Sequence, residues 1–328
     1  MLGLAPSSDQ FSTYRAQRRL DSQRLRTSRL AWLIVSVLSV AGRVQAAAPC
    51  DALGKECPLQ LANESARGLA LGTGQRASSI STSALAYNPA ALVLGKLYHI
   101  EGLLDYMPDL KTVALGGAVI DSATSRVGAG FGLRGFLGSG GMGGIDGRLG
   151  LAFPFSDAVS VGLTGRYINV GDDSPSVAGV ARAARLAKGF TMDASLRFAP
   201  LPAVQLDIAS YNFINLESAY APVMVGGGGA IALGEIAQLG ADLLVDLSTF
   251  KKPDVTLGGG AEVFAGRTVP IRAGYSYDTK REQHAISFGL GYTDASVGCD
   301  ISLRQVLSGV GRYAGDTRIM AAFRFYVH

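Results

Sequence analysis

The sequence predicts an all-β protein, a transmembrane antiparallel β-barrel of about fourteen strands (about 12 to 16). Three observations predict it. From residue 97 onward, segments of about 9–12 residues alternate apolar with small or polar side chains. The connections between them alternate between tight and long. An export-type signal stands ahead of the array, and no other stretch of the 328 residues is continuously apolar.

The alternation is explicit in several segments. Val159, Val161 and Leu163 share one side, and Ser160, Gly162, Thr164 and Arg166 the other. Phe190, Met192, Ala194, Leu196 and Phe198 oppose Thr191, Asp193, Ser195 and Arg197. Ile319, Ala321, Phe323 and Phe325 oppose Arg318 and Arg324. Fourteen such segments are expected, over residues 97–106, 111–120, 126–137, 145–153, 158–169, 189–199, 203–212, 222–232, 235–247, 254–264, 269–278, 283–292, 295–304 and 316–327. The eighth is the weakest, because Gly226, Gly227, Gly228 and Gly229 dilute it. A tilted bilayer crossing needs about 9–11 residues, whereas globular strands average about 5–6. Residues 155–157, 200–202 and 265–267 read as tight turns; 138–144, 171–188 and 248–254 read as long loops. In hydrocarbon an open sheet edge leaves unpaired backbone groups, so the array must close. An even strand number brings both chain ends to one side.

Three regions are expected: a signal peptide with a long positive lead (1–46), a periplasmic N-terminus (47–96) and the barrel (97–328). Arg24, Arg26 and Arg29 precede an apolar core over 31–41, and Val44-Gln45-Ala46 offers a cleavage site after Ala46. The core is too short for a membrane-spanning helix, which needs roughly 20 apolar residues. Residues 1–46 hold seven of the 30 basic and two of the 26 acidic residues. The remainder is nearly neutral, so no nucleic-acid partner is expected. Cys50 and Cys57 are candidates for a disulfide in an oxidising periplasm, while Cys299 falls at an apolar-facing strand position.

The residues point away from catalysis. His99, His284 and His328 are scattered, so no metal site or cofactor is expected. His284 has lipid-facing parity, and His99 shares a side with Glu101. The glycine runs at 226–229 and 258–260 lack a following Lys-Ser/Thr, so no phosphate loop is read. Lumen-parity charges are numerous: Arg134, Arg148, Arg166, Arg197, Asp242 and Arg272 are the main candidates, beside Asp193, Asp207, Asp246, Glu262, Asp278 and Arg324. Two readings stand. Either they form an internal ion-pair network that fills the barrel, or they line a polar path.

Residues 62–96 behave differently from the strands. Asn88-Pro89 favours a turn, so a helix over 78–85 should stop near Tyr87. The run Ser83-Ala84-Leu85-Ala86-Tyr87-Asn88-Pro89-Ala90-Ala91-Leu92 resembles the amino-terminal signature of FadL-type outer-membrane transport proteins, within the FadL/PorV-like barrel superfamily. Gly72-Thr73-Gly74-Gln75-Arg76-Ala77 resembles that group's glycine-rich lead-in. The motif covers about 20 residues. The resemblance implies a fourteen-stranded barrel in a Gram-negative outer membrane, plugged by a hatch. It also implies passive uptake of small hydrophobic molecules of the fatty-acid or hydrocarbon class, with a lateral exit at a kink in the third strand. Carried over, the hatch motif is Asn88, Pro89 and Ala90. Gly128, Gly130, Gly132 and Gly135 mark a possible kink, or pack against the hatch. The expected partners are outer-membrane lipid and a hydrophobic ligand, for a monomer that is not an enzyme. The alternative is a non-transporting barrel that carries or assembles surface proteins. The chain departs from the family pattern in its short length and in its Phe325-Tyr326-Val327-His328 ending.

Overall fold

A computed structural model of the chain describes residues 65–138, 142–172, 186–308 and 317–327. The expected signal peptide and the Cys50–Cys57 pair lie outside the described residues. Among those described are fourteen strands: β1 (Tyr98–Met107), β2 (Thr112–Asp121), β3 (Gly128–Gly138), β4 (Met142–Pro154), β5 (Val159–Asp172), β6 (Ala187–Leu201), β7 (Val204–Tyr211), β8 (Met224–Leu233), β9 (Ala237–Asp246), β10 (Asp254–Ala265), β11 (Val269–Asp278), β12 (Gln283–Thr293), β13 (Val297–Ser308) and β14 (Thr317–Val327). Each is antiparallel to its chain neighbours, and β1 pairs with β14 from Tyr98↔Val327 to Tyr106↔Ile319. The sheet is therefore a closed barrel, and closure leaves no free edge.

All fourteen expected segments are strands. Their bounds shift by a few residues, mostly where the alternation fades. β4 starts at Met142, inside the expected loop 138–144, because Met142 points inward into an apolar cluster. β8 forms across its four glycines, paired with β7 and β9 along its whole length. Glycine there makes room: a Cβ on Gly228 would meet the backbone oxygen of Ala241 at 3.0 Å. The turns at the end where β1 begins and β14 ends are short, at 122–127, 155–158, 202–203, 234–236, 266–268 and 294–296. The opposite end has the longer connections, including 212–223 and 247–253.

The two faces of the sheet differ sharply. Leu115, Phe131, Leu149, Ile271, Phe288 and Ile301 point outward and are 51–59% exposed. A continuous apolar exterior of this kind suits lipid and not water. Cys299 lies on that exposed face, as its parity predicts. The inward positions carry buried charges, among them Asp105, Arg134, Asp146, Arg166, Asp242 and Arg272.

The longer-loop end closes over part of the barrel. Met107, Leu110, Phe136, Met142, Ile168, Val170 and Tyr220 form an apolar cluster at the ends of β1–β6. Tyr220 comes from the 212–223 connection, which Asn212 pins by donating from Nδ2 to the Pro222 carbonyl at 2.9 Å. Phe136 and Tyr220 meet edge to face, with ring centroids 6.2 Å apart.

The lipid-facing claim is testable at mid-strand. Leu149→Arg is expected to lower stability by about 2–4 kcal/mol, the usual cost of a cation on the lipid face near mid-bilayer. Denaturant unfolding from lipid vesicles measures it. An unchanged midpoint would mean this face does not meet hydrocarbon.

Candidate functional site

Residues 65–97 precede the first strand and pack against inward-facing positions of the sheet. They form two short helices, Ala66–Ala70 and Ser81–Tyr87, and a 3-10 turn, Pro89–Val93. Ser65 caps the first helix, its Oγ accepting from the Gly68 N–H at 3.1 Å. The second ends at Asn88, as expected for a residue ahead of proline.

A row of glycines receives this segment. Gly240, Gly260 and Gly274 are directly in register across β9, β10 and β11. The backbone from Leu71 to Gly74 lies across them. A Cβ on Gly260 would sit 2.5 Å from the Leu71 carbonyl oxygen, and one on Gly240 or Gly274 would overlap Gly74 or Gly72. Gly72 itself has φ +59 and abuts the Tyr275 backbone, so a side chain there is excluded twice over.

Ion pairs and hydrogen bonds complete the seat. Arg67 donates from Nη2 to Glu262 at 3.0 Å and to Gln238 at 3.1 Å. Asp242 accepts from the backbone N–H of Gln75 at 3.1 Å, and from the backbone N–H and Nη1 of Arg76, each at 2.9 Å. The Arg76 Nε donates to the Tyr211 hydroxyl at 2.9 Å, and that hydroxyl donates to the Tyr87 carbonyl.

The Asn88-Pro89-Ala90 motif is held just as closely. Asn88 is fully buried and donates from Nδ2 to the Arg76 carbonyl at 3.1 Å. The Ala90 N–H donates to Ser195 and its carbonyl accepts from Ser160, both at 2.8 Å. A Cβ on Gly162 would run into the Pro89–Ala90 backbone.

The glycines of β3 divide by parity. Gly128, Gly130 and Gly132 face the segment: a Cβ would meet the Leu92 carbonyl carbon at 2.5 Å, the Leu92 Cδ2 at 3.3 Å and the Leu85 Cδ2 at 3.0 Å respectively. Gly135 lies on the other parity, 3.9 Å from the Leu115 carbonyl. β3 pairs with β2 and β4 without a shift in register.

A small cavity of about 60 Å³ lies where Leu85 and Ala86 meet this wall. Gly116, Gly117, Gly132, Leu133, Arg134 and Arg148 line it. Gly117 and Leu133, directly in register and on the exposed parity, also border it, where the β2–β3 ladder is unbroken. The charged residues on its rim are ion-paired, although the Arg148 Nε has no hydrogen-bond partner. Arg134 pairs with Asp105 at 3.3 Å, Arg318 with Asp105 at 2.6 Å, Arg148 with Asp193 at 3.6 Å, and Arg166 with Asp146. Arg148 also donates to the Ala86 carbonyl at 3.1 Å.

The sequence-predicted lumen charges all face inward. Arg134, Arg148 and Arg166 gather around Asp146. Arg272 bridges Glu262 and Asp300, the latter at 2.5 Å. Asp242 holds the N-terminal segment. Arg197 stands in register with Asp207, and neither its Nε nor the Asp207 carboxylate oxygens find a hydrogen-bond partner. The sequence reading missed Asp105, Asp146 and Asp300, although parity marks them: Asp146 follows outward-facing Ile145, and Asp105 lies between outward-facing Leu104 and Tyr106. It also missed the anchors Arg67 and Arg76, whose partners lie far along the chain.

Two substitutions test the seat. Asp242→Ala strands the buried Arg76 guanidinium and is expected to cost about 3–5 kcal/mol in unfolding free energy. Gly260→Val is expected to displace the Leu71–Gly74 backbone, so that trypsin cleaves the folded barrel at Arg67 or Arg76 while wild type resists. Equal protection in both proteins would show that the glycine row does not hold the segment.

No known protein-family model and no curated protein sequence matches the chain. Solved structures do match. The CymD monoaromatic hydrocarbon channel is 12% identical, with a TM-score of 0.60 over 82% of this chain and 98% of that one. The Ralstonia pickettii toluene transporter TbuX is 14% identical, with a TM-score of 0.56 over 81% and 98%. A Pseudomonas aeruginosa FadL homologue is 12% identical, with a TM-score of 0.55 over 83% and 98%. At these identities the likeness speaks for the fold, and the fold of this chain is the FadL-type barrel.

Proposed function

We propose that this chain is an outer-membrane barrel through which small, uncharged hydrophobic molecules, single-ring aromatics among them, pass by diffusion. Residues 65–97 serve as its plug, with Asn88, Pro89 and Ala90 as the hatch. The observation that carries this reading is the cavity between Leu85–Ala86 and the β2–β3 wall, which Gly117 and Leu133 border. The shared fold with a toluene transporter and a monoaromatic hydrocarbon channel supports the same class of solute.

The cavity has about 60 Å³, whereas an apolar cavity that binds benzene has about 150 Å³. Passage therefore requires Leu85 to move. Leu85 makes none of the anchoring contacts at Arg67, Arg76 and Ala90. Neutral solutes are favoured because the arginines on the rim are already paired.

Uptake of labelled toluene by Gram-negative cells that lack carriers of their own tests the proposal. Expression of the chain is expected to raise uptake. Leu85→Ala is expected to raise it further, by severalfold, and Asn88→Ala to raise it by loosening the hatch. Leu85→Trp is expected to reduce it to the level of cells without the protein. Uptake that does not depend on the chain would end the transport reading.

The apolar cluster that closes the longer-loop end over β1–β6 favours a second reading, a barrel that carries or assembles surface proteins. That reading requires a surface protein cross-linked to the 212–223 connection in intact outer membranes, together with toluene uptake indifferent to the chain.

A further inference from the structure

Resting on the transport reading, we infer that a solute in the Leu85 cavity leaves through the short-turn end of the barrel, past Thr82, and not sideways through the barrel wall. A second cavity, of about 380 Å³, lies between the plug segment and the ends of β1 and β10–β14. This is within the size range of small-molecule pockets. Ile80, Gly95, Asp294 and Ala295 border it and are exposed, so its mouth is at the end where β1 begins and β14 ends.

Thr82 divides the two spaces. Its buried side chain lines both. Its Oγ1 donates to the Glu101 Oε2 at 2.8 Å. Glu101 lines the Leu85 cavity, and Arg324, which pairs with it, lines the larger one. Asp300 holds Arg324 in turn, at 2.5 Å. When Thr82 turns away, Glu101 therefore keeps its pair with Arg324. Threonine suits this place, since in a helix it divides between two χ1 rotamers where valine or isoleucine keeps to one. Thr82 and Leu85 stand three residues apart on the helix Ser81–Tyr87 and share a face. The residue that narrows the first cavity and the one that shuts it off from the second are thus neighbours. Beyond Thr82, Leu94, Phe264, Pro270 and Tyr292 offer apolar surface to the same solute.

The way through the wall is more costly. β2 pairs with β3 without a break from Thr112↔Gly138 to Asp121↔Ala129, and β3 with β4 from Gly128↔Ala152 to Leu137↔Gly143. A solute crossing there would part a ladder whose N–H and C=O groups find no other partner in hydrocarbon. Turning Thr82 breaks one side-chain hydrogen bond. Gly130 and Gly132 of β3, where a kink was one expectation, receive Leu85 and Leu92 and leave the strand in register.

Uptake of labelled toluene by the same cells tests this exit, measured per folded barrel in the outer membrane. Thr82→Phe is expected to reduce uptake to the level of cells without the protein. Ala295→Trp, on an exposed turn outside the plug, narrows the far mouth and is expected to lower uptake severalfold. Resistance to trypsin at Arg67 and Arg76 reports whether the plug stays seated. If Thr82→Phe loses that resistance, Ala295→Trp decides alone. Wild-type uptake in Ala295→Trp, or in Thr82→Phe with its plug seated, would mean that the solute leaves by another route. That result overturns this exit and leaves the transport reading standing, whereas uptake indifferent to the chain itself removes both.

Discussion

Backbone pairing in hydrocarbon governs the rest of this structure. A strand that meets lipid must have every N–H and C=O satisfied by a neighbour, so the sheet must close on itself. Here β1 meets β14 and no edge remains. Closing fourteen strands has a consequence that closing eight does not. Eight enclose a space that side chains alone can fill, whereas larger barrels leave a lumen. The inward positions of this barrel solve that problem in two ways. Where charged residues face inward they reach across to one another, as Arg318 and Arg134 do to Asp105. Where glycines face inward, another stretch of backbone lies against the wall.

The two solutions are interleaved in the same strands, and that gives residues 65–97 a definite register. β10 shows this best. Gly258 and Gly260 receive the backbone around Gly72, and Glu262, next on the same face, takes the Arg67 guanidinium. β9 repeats it with Gly240 beneath Gly74 and Asp242 on the Arg76 side chain. A buried ion pair contributes little net stability against an apolar alternative, because desolvation offsets attraction. Its value here is positional. A slip of the segment by one residue would leave Glu262 or Asp242 buried and unpaired while pressing a side chain onto a glycine.

The strands are legible in the sequence because an outward Leu or Phe beside an inward polar residue marks parity at each step. Even the diluted eighth segment could be placed, since Ile231 and Leu233 keep the alternation after the glycines end. The seat of the N-terminal segment is much less legible. Glycine carries no side chain to announce which face it takes, so Gly240, Gly260 and Gly274 look like ordinary members of a glycine-rich chain until cross-strand register aligns them. Arg67 and Arg76 are equally silent, since their carboxylate partners lie 195 and 166 residues away. The Asn88-Pro89 turn was readable because proline acts locally. The serines that bolt Ala90 to β5 and β6 were not, because only the folded register brings Ser160 and Ser195 to it.

The ion pairs also bear on selectivity. The cavity at Leu85 and the inward face of the sheet are lined by arginines, which would suggest a path for anions if the side chains were free. They are not: Arg134, Arg148, Arg272 and Arg324 each pair with a carboxylate on another strand. An anion that pairs with one of them would have to displace its carboxylate, leaving a buried charge uncompensated at a cost of about 3–5 kcal/mol. A neutral apolar molecule displaces none of them and gains contact with Leu85. Under the transport reading, the ion-pair network that fills the lumen is therefore also its filter.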